Sequence, residues 1–471
     1  MKLYLRLLSI LGLSLLAWSC GDDEPEEIIV PAPQMVSVTP AHGTTDVAVG
    51  DVSITVGYDQ VIAFLTADTD KLQITGGTIT KARAQGKDLL ITANCPDWGT
   101  TVSITIPLGL VKNTQGTAAP TVTFSFTTKA KVQPPVTSIP SEPVTASTDA
   151  ARKLYAYMYS LYGKKVLSSV MANVNWNNDC AEKVFKLTGK YPAMNCYDFI
   201  HICFSPANWI DYTQIKPVQE WVNAGGLVQL MWHFNVPKTE GSTDVTCTPS
   251  ETSFKASNVF KKGSWENRWF YDQMDKVVAT LLKLQEAGIA ATWRPFHEAA
   301  GNATRKDQAA WTKSWFWWGY DGAETYKKLW VTMYDYFKQK GINNLIWVWT
   351  TQNYNGDSDA YNQDTDWYPG DAYVDIVGRD LYGQNAQANA QEFAEVQAAY
   401  PNKMVALAEC GRGDSGEQGR IGECWSKGAK WSHFMVWYQG GQGSTDTMCS
   451  DDWWKAAMSD ENVITRDQVK L

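Results

Sequence analysis

The sequence predicts a multidomain protein in which a small all-β, immunoglobulin-like sandwich precedes a (β/α)8 TIM barrel. Short alternating strands fill the N-terminal part of the chain, a proline-rich segment follows, and eight buried strand patterns then alternate with amphipathic helices. A length of 471 residues is too great for one ordinary domain. A formal net charge of −9 argues against a nucleic-acid partner.

Residues 1–20 have the pattern of an export signal. Lys2 and Arg6 precede an apolar run, residues 7–17, that is too short to span a membrane. Ser19 and Cys20 end this run, and acidic residues follow. The pattern resembles a bacterial lipoprotein signal, which implies cleavage before Cys20 and acylation of its thiol. We therefore expect a surface-exposed outer-membrane lipoprotein that contacts the membrane only through this lipid; an ordinary secretory signal with an incidental cysteine is the alternative.

The segment after the signal predicts a tether and then a β-sandwich. Residues 21–34 are acidic and proline-rich, as flexible tethers are. Residues 35–128 hold short alternating strands separated by turn residues, which is typical of an immunoglobulin-like sandwich. The strands are predicted at 36–38, 53–56, 72–74, 89–91, 102–106 and 123–127. The stretch 40–47 resembles a bacterial Ig-like domain, so we expect a spacer, with carbohydrate binding as the alternative.

The rest of the chain predicts a linker and the barrel. Residues 129–145 contain four prolines and predict a semi-rigid linker. Barrel strands within residues 146–471 are predicted at 166–171, 192–197, 227–234, 290–298, 344–350, 375–382, 403–409 and 433–438. Helical patterns at 269–286 and 325–340 are followed by Gly288 and Gly341, which are typical helix stops. A doubly wound open sheet is the alternative, but no glycine-rich phosphate loop follows the first strand.

The sequence predicts neither a cofactor nor a metal site. The eight cysteines besides Cys20 are scattered, without a Cys-x-x-Cys motif or paired histidine spacing. The acidic stretch 356–366 lacks the regular ligand spacing of a calcium loop. We expect it to be a solvated loop.

Polar residues collect where the predicted barrel strands end, which is where barrels of this class carry their active sites. They are His233, Arg294, His297, Glu298, Asp380, Tyr382, Glu409 and Trp437. Two carboxylates suit cleavage of a glycosidic bond, because one donates a proton and the other faces the developing oxocarbenium ion. Glu298 lies beside a histidine and aromatic residues, which predicts a raised pKa and the role of acid. Arg294 and Tyr382 are expected to keep Glu409 ionised.

Three motifs resemble glycoside hydrolase family 26, whose best-known members are endo-β-1,4-mannanases. They are Trp293-Arg294-Pro295-Phe296-His297-Glu298, Trp315-Phe316-Trp317-Trp318-Gly319 and Ala408-Glu409-Cys410-Gly411. The resemblance covers most of residues 150–471. The chain departs from the family pattern by an insertion at 303–308, by Tyr438 where some mannanases have Arg, and by Arg379 at an often apolar position.

The resemblance implies a role for each candidate site residue. Glu298 would be the acid/base and Glu409 the nucleophile of a retaining double displacement. The remaining roles concern the substrate: His233 and His297 would contact the −1 sugar, Tyr382 would position the nucleophile, Trp437 would form the floor of the −1 subsite, Trp315 would stack at +1, and Asp380 would contact substrate.

The resemblance implies a retaining endo-β-1,4-mannanase that acts on mannan, galactomannan or glucomannan, and we expect it to be a monomer. The abundance of aromatic residues, 22 Trp and 21 Tyr, suits the stacking of sugar rings. A retaining enzyme places its two carboxyl groups about 5–5.5 Å apart, and we expect this separation between Glu298 and Glu409. Three alternatives are a β-glucanase or β-1,3-xylanase on the same scaffold, a surface glycan-binding protein without activity, and a structural adhesin.

Overall fold

The computed structural model describes residues 30–130, 138–301, 314–351, 364–441 and 443–471. The predicted signal with Cys20, residues 303–308 and most of the stretch 356–366 lie outside the described residues. No helix within the described ranges is long and apolar enough to cross a membrane. The described residues divide into two compact units, the first comprising residues 30–44, Ser53–Asn94 and Thr101–Phe126 and the second comprising the other described residues.

The N-terminal part is built from antiparallel sheets, as predicted. A four-stranded sheet has the order Met35–Thr39, Gly50–Tyr58, Asp88–Cys95, Thr78–Gln85; a three-stranded sheet has the order Gln73–Thr75, Thr101–Ile106, Val122–Thr127; and Ile62–Ala63 pairs with Lys112–Asn113. Alternate residues of Asp88–Cys95 are buried, which gives the sandwich its core face. Sequence reasoning missed the strand Thr78–Gln85, because Ala82 is its one buried residue and a register shift at Ile79 breaks the alternation.

The second unit contains the predicted barrel of eight parallel strands. They are β1 Val166–Met171, β2 Met194–Asp198, β3 Leu227–Trp232, β4 Ala291–Pro295, β5 Leu345–Thr351, β6 Ile376–Tyr382, β7 Met404–Gly411 and β8 His433–Val436. Their order is β2-β3-β4-β5-β6-β7-β8-β1, and pairing of β1 with β2 closes the barrel. Val463–Ile464 pairs with β1 as well. Every predicted strand is present, and the fold class is confirmed.

Helices and short elements connect these strands. The α-helices are α1 Asp149–Leu161, α2 Asp179–Thr188, α3 Lys216–Asn223, α4 Trp265–Glu286, α5 Trp317–Tyr320, α6 Ala323–Gln339, α7 Ala386–Ala399, α8 Ile421–Ser426 and α9 Asp451–Ser459. The 3-10 helices are Thr66–Lys71, Ile202–Phe204, Pro249–Glu251, Ala256–Phe260, Asp364–Trp367, Asp371–Tyr373 and Arg466–Gln468. Two short hairpins pair Val236–Pro237 with Val245–Thr246 and Tyr438–Gln439 with Asp446–Thr447.

The predicted helix stops are present. Gly288 and Gly341 adopt φ values of 70° and 86° just after α4 and α6, where a residue with a Cβ would be strained. Helix α4 begins four residues before the predicted start, because the Ser264 side chain accepts a hydrogen bond from the Asn267 N–H and caps it there.

The core of the barrel unit is unusually rich in tryptophan. Eleven fully buried Trp side chains are among its largest: Trp221, Trp232, Trp293, Trp317, Trp318, Trp330, Trp349, Trp367, Trp431, Trp453 and Trp454. Indole rings that fill the core are not available for sugar. The described tryptophans with exposed rings are Trp209 and Trp315.

Candidate active site

The strand β4 delivers Glu298 through a strained backbone. Phe296 and Glu298 have φ values of 48° and 51°, in the left-handed region that residues with a Cβ rarely adopt. Such residues cost of order 1–3 kcal/mol each and persist where the surroundings hold them in place. Here the buried Phe296 ring lies parallel to Phe234 and Phe270, and Trp318 Nε1 donates to the His297 carbonyl at 2.8 Å. The packed rings therefore fix the turn that presents Glu298.

A β-bulge places Glu409 beside Asp380. Along β6 and β7, Arg379 pairs with Leu407, but Asp380 pairs with Glu409, so Ala408 is the extra residue. Paired residues of neighbouring strands face the same side of the sheet, and a shift by one residue reverses the side. The bulge therefore directs both carboxylates to the same face of the sheet.

Arg294 and Tyr382 each donate a hydrogen bond to one oxygen of the Glu409 carboxylate. Arg294 Nη1 donates to Glu409 Oε1 at 2.7 Å, and the Tyr382 hydroxyl donates to Oε2 at 2.6 Å. Arg294 also pairs with Asp380 and donates from Nε to the Thr350 hydroxyl at 2.7 Å. One charged and one neutral donor therefore fix the orientation of the buried Glu409 carboxylate.

Glu298, Asp380 and Glu409 form one cluster of carboxylates. Each has an oxygen within 4.8 Å of an oxygen of the other two. This closeness fits the short separation of retaining enzymes, about 5–5.5 Å, better than the inverting range of about 6.5–9.5 Å. The same spacing would suit a cation, but the Arg294 guanidinium already bridges two of the carboxylates, which disfavours one there.

The cluster gives Glu298 the properties of an acid near neutral pH. Burial, followed by repulsion from Glu409, raises the pKa of Glu298 to about 7, although Arg294 acts in the opposite direction. Burial also raises the pKa of Asp380, against the effect of Arg294. Three carboxylates that face one guanidinium cannot all be ionised without strong repulsion, so Glu298 and Asp380, which are hydrogen-bonded to each other, share a proton. Trp315 Nε1 donates to Glu298 Oε2 at 2.9 Å.

Two histidines whose pKa values shift in opposite directions lie beside the carboxylates. Asp198, at the end of β2, accepts the His233 backbone N–H at 3.0 Å and contacts His233 Nδ1 at 2.5 Å. Burial lowers the pKa of His233, but Asp198 more than offsets it, so the net shift is upward. Burial, His233 and Arg294 all lower the pKa of His297, which is therefore neutral. The His297 Nε2 atom lies 3.9 Å from Glu409 Oε1.

Sequence reasoning missed Asp198. The predicted second strand ended at residue 197, one residue too early, so the polar end of β2 was not recognised. The signal was available, because Asp198 is a carboxylate that ends a buried run, as Glu409 ends the predicted seventh strand.

Aromatic rings surround the cluster. Trp437 follows β8, and its ring centroid lies 5.7 Å from that of His233. Trp315 has an exposed ring beside Glu298, whereas Trp317 and Trp318 of the same run are buried in the core. The structure therefore brings together all the barrel residues predicted for the site: His233, Arg294, His297, Glu298, Trp315, Asp380, Tyr382, Glu409 and Trp437. The predicted lipidation residue, Cys20, lies outside the described part of the chain.

A closed parallel barrel with two adjacent carboxylates at its strand ends has the architecture of a glycoside hydrolase. Residues 144–468 match glycosyl hydrolase family 26, and the chain belongs to this family. Residues 30–128 match a bacterial Ig-like domain, in agreement with the resemblance of that segment.

Three relatives illustrate the similarity. The GH26 domain of an endo-β-mannanase/endo-β-glucanase from Prevotella bryantii is 53% identical, covers 70% of this chain and 100% of its own, and superposes with a TM-score of 0.67. A β-mannanase from a symbiotic protist of the termite Reticulitermes speratus, solved with a gluco-manno-oligosaccharide, is 31% identical, with coverages of 71% and 98% and a TM-score of 0.57. A mannan endo-1,4-β-mannosidase from Thermothelomyces thermophilus is 31% identical over 69% of this chain. The match spans 61% of the length of that fungal protein and 46% of a mannan endo-1,4-β-mannosidase B from Piromyces.

Proposed function

We propose that this protein is a retaining, endo-acting β-1,4-mannanase that cleaves mannan, galactomannan or glucomannan. The observation that carries the proposal is the pair Glu298 and Glu409, whose carboxylate oxygens lie within 4.8 Å of each other at the ends of two barrel strands. The choice of mannan is supported by the relatives, since the proteins from the termite protist, Thermothelomyces and Piromyces are all described as mannanases or mannan endo-mannosidases.

In the first step, Glu409 attacks the anomeric carbon of the sugar while Glu298 gives its proton to the departing glycosidic oxygen. The bond to the leaving chain breaks, and a glycosyl ester forms on Glu409. The raised pKa of Glu298 keeps it protonated at the start, and the hydrogen bonds from Arg294 and Tyr382 orient the Glu409 carboxylate for attack.

In the second step, the ionised Glu298 takes a proton from water, and the hydroxyl oxygen attacks the same carbon from the opposite face. The ester bond to Glu409 breaks, the sugar leaves with its original anomeric configuration, and Glu298 is protonated again. The neutral His297, which lies 3.9 Å from the nucleophile, offers a donor or acceptor to the sugar without a competing charge.

Side-by-side product analysis tests the proposal. The protein should release oligosaccharides from β-1,4-mannan, with no comparable release from mixed-linkage β-glucan or β-1,3-xylan, and proton NMR should detect the β-anomer first. Glu409→Ala serves as the inactive control. Preferential release from glucan or xylan would reassign the substrate, and binding to mannan without any product would indicate a glycan-binding protein.

We further propose that the protein is a monomeric outer-membrane lipoprotein, acylated on Cys20. The support is the sequence alone: a positive start, a short apolar run and a cysteine followed by acidic residues. When the full chain is expressed in a Gram-negative host fed with labelled palmitate, the label and the outer-membrane location should both be lost in Cys20→Ala. Labelled palmitate in Cys20→Ala would contradict the assignment. Light scattering of the detergent-free Cys20→Ala protein should give the mass of one chain.

A further inference from the structure

The loop between β2 and α3 presents an exposed tryptophan that the catalytic cluster does not use. Half of the Trp209 side-chain surface is exposed, more than that of Trp315 beside Glu298. Its ring contacts His201 and Phe204 edge-on or tilted, at centroid distances of 5.0 and 6.0 Å. A ring that is half exposed gains less from packing than a buried ring, and exposed aromatic rings are typical of binding surfaces.

Trp209 borders a cleft of about 320 Å³ whose other wall comes from the loop after β1. Asn175 and Asn177 of that loop line the cleft. The Oδ1 atom of Asn175 accepts a hydrogen bond from the Trp176 N–H, and that of Asn177 accepts one from the Asp179 N–H. Their Nδ2 amide groups have no protein acceptor among the described residues. The cleft therefore combines an apolar ring with amide donors, the combination that a neutral, hydroxyl-rich ligand requires.

Hydrogen bonds hold the loop that carries Trp209 in place. Trp209 and Asn208 occupy a two-residue turn closed by hydrogen bonds between Ala207 and Ile210 at 2.8 and 3.2 Å. The buried Tyr212 hydroxyl donates to the Asp198 carbonyl at 2.6 Å, which ties the loop to the end of β2. A site that is ordered before binding loses less entropy when the ligand arrives.

The same contacts link the loop that carries Trp209 to the catalytic cluster. His201, which touches Trp209, lies close enough to Asp198 and His233 for both to influence its pKa. Trp176 Nε1 donates to the Gln214 carbonyl at 2.8 Å and joins the loop after β1 to the loop after β2. Both loops follow C-terminal strand ends, so they lie on the face of the barrel that carries Glu298 and Glu409.

We infer that Trp209, with Asn175 and Asn177, forms a distal sugar-binding site that holds a β-1,4-linked hexose chain several units from the bond being cleaved. The inference rests on the proposed mannanase function. A sugar ring would stack its C–H face on Trp209, and its hydroxyl groups would accept hydrogen bonds from the two amides. Long substrates would reach this site, whereas short substrates would fill only the subsites at the carboxylates.

Chain-length dependence tests the inference. The measured quantity is the ratio of kcat/KM for mannohexaose to kcat/KM for mannotriose. Trp209→Ala should lower this ratio about tenfold from its wild-type value, which corresponds to about 1.4 kcal/mol. Trp209→Phe keeps an aromatic face and should recover most of the loss. Tyr159→Ala, which removes an exposed ring from α1, is the matched control and should leave both rates unchanged. If the ratio of kcat/KM for mannohexaose to that for mannotriose is the same in the wild type and in Trp209→Ala, the inference is overturned.

A binding measurement keeps the inference separate from the catalytic proposal. In the inactive Glu409→Ala background, affinity electrophoresis in soluble glucomannan should show weaker retardation when Trp209→Ala is added. If the wild type fails to cleave mannan, the catalytic proposal fails, and this measurement still decides the inference. Unchanged retardation would then overturn it.

Discussion

The hydrogen bond from Trp315 to Glu298 predicts a measurable shift in the pH dependence of the reaction. The Trp315 indole N–H donates to Glu298 Oε2 at 2.9 Å and favours the ionised carboxylate, so it lowers the pKa of the acid. Trp315→Phe removes this donor and keeps an aromatic ring for stacking. The pKa of Glu298 should therefore rise above its value of about 7 in the variant.

The size of the shift follows from the strength of the bond and its exposure to water. A hydrogen bond to a charged group contributes about 1.5–3 kcal/mol, and one pKa unit corresponds to about 1.4 kcal/mol. Because the Trp315 side chain is more than one-third exposed, water can replace part of the lost donor. We therefore expect an upward shift of about 0.5–1 pH unit.

The profile of kcat/KM against pH, measured with mannohexaose, gives this shift directly. The alkaline limb reports loss of the acid proton and should have a midpoint of about 7 in the wild type, moving upward in Trp315→Phe. Trp209→Phe, an equivalent change outside the catalytic cluster, should leave the limb in place. A limb that stays or moves downward in Trp315→Phe would refute the assignment of Glu298 as the acid.

Three further predictions concern the charged groups. Glu298→Ala should lose about 10²–10⁴-fold activity on mannan but much less on dinitrophenyl glycosides, whose leaving group needs no acid; equal losses on both would reject the role. Arg294→Met should lower the free energy of unfolding by about 3–5 kcal/mol, because it leaves buried carboxylates unpaired, whereas Arg268→Met, which removes an exposed pair, should change urea unfolding little. Asp198 raises the pKa of His233 in the folded protein. The pair of Asp198 and protonated His233 therefore stabilises the fold fully below the unfolded-state pKa of about 6.5, and this stabilisation is lost as the pH rises through the higher folded-state pKa of His233. The deficit in Tm of Asp198→Asn should therefore be larger in acid than in alkali, and a pH-independent deficit would contradict the charged pair.

The barrel was predictable because its strands are buried runs, several of which stop abruptly in polar residues. The hydrophobic pattern alone located β1 at its observed bounds, and the polar stops identified the face on which Glu298 and Glu409 lie. The strand Thr78–Gln85 was missed for the opposite reason, since a strand that buries only Ala82 has no alternation to detect.

The details of the site depend on tertiary structure. The bulge at Ala408, which turns Glu409 to the same side as Asp380, leaves no sign in the local sequence. The positive φ of Glu298 is held by rings that come from other strands and helices. The exposure of Trp209 could not be predicted from the sequence either, because most tryptophans of this chain are core residues.

Covalent trapping tests the central claim most directly. A 2-deoxy-2-fluoro mannosyl fluoride slows both steps but leaves a good leaving group, so a retaining enzyme accumulates the glycosyl ester. Digestion and mass spectrometry should locate the added sugar on Glu409 alone, with no label on Glu298 or Asp380. A label on another carboxylate, or inversion of configuration without any label, would contradict the account.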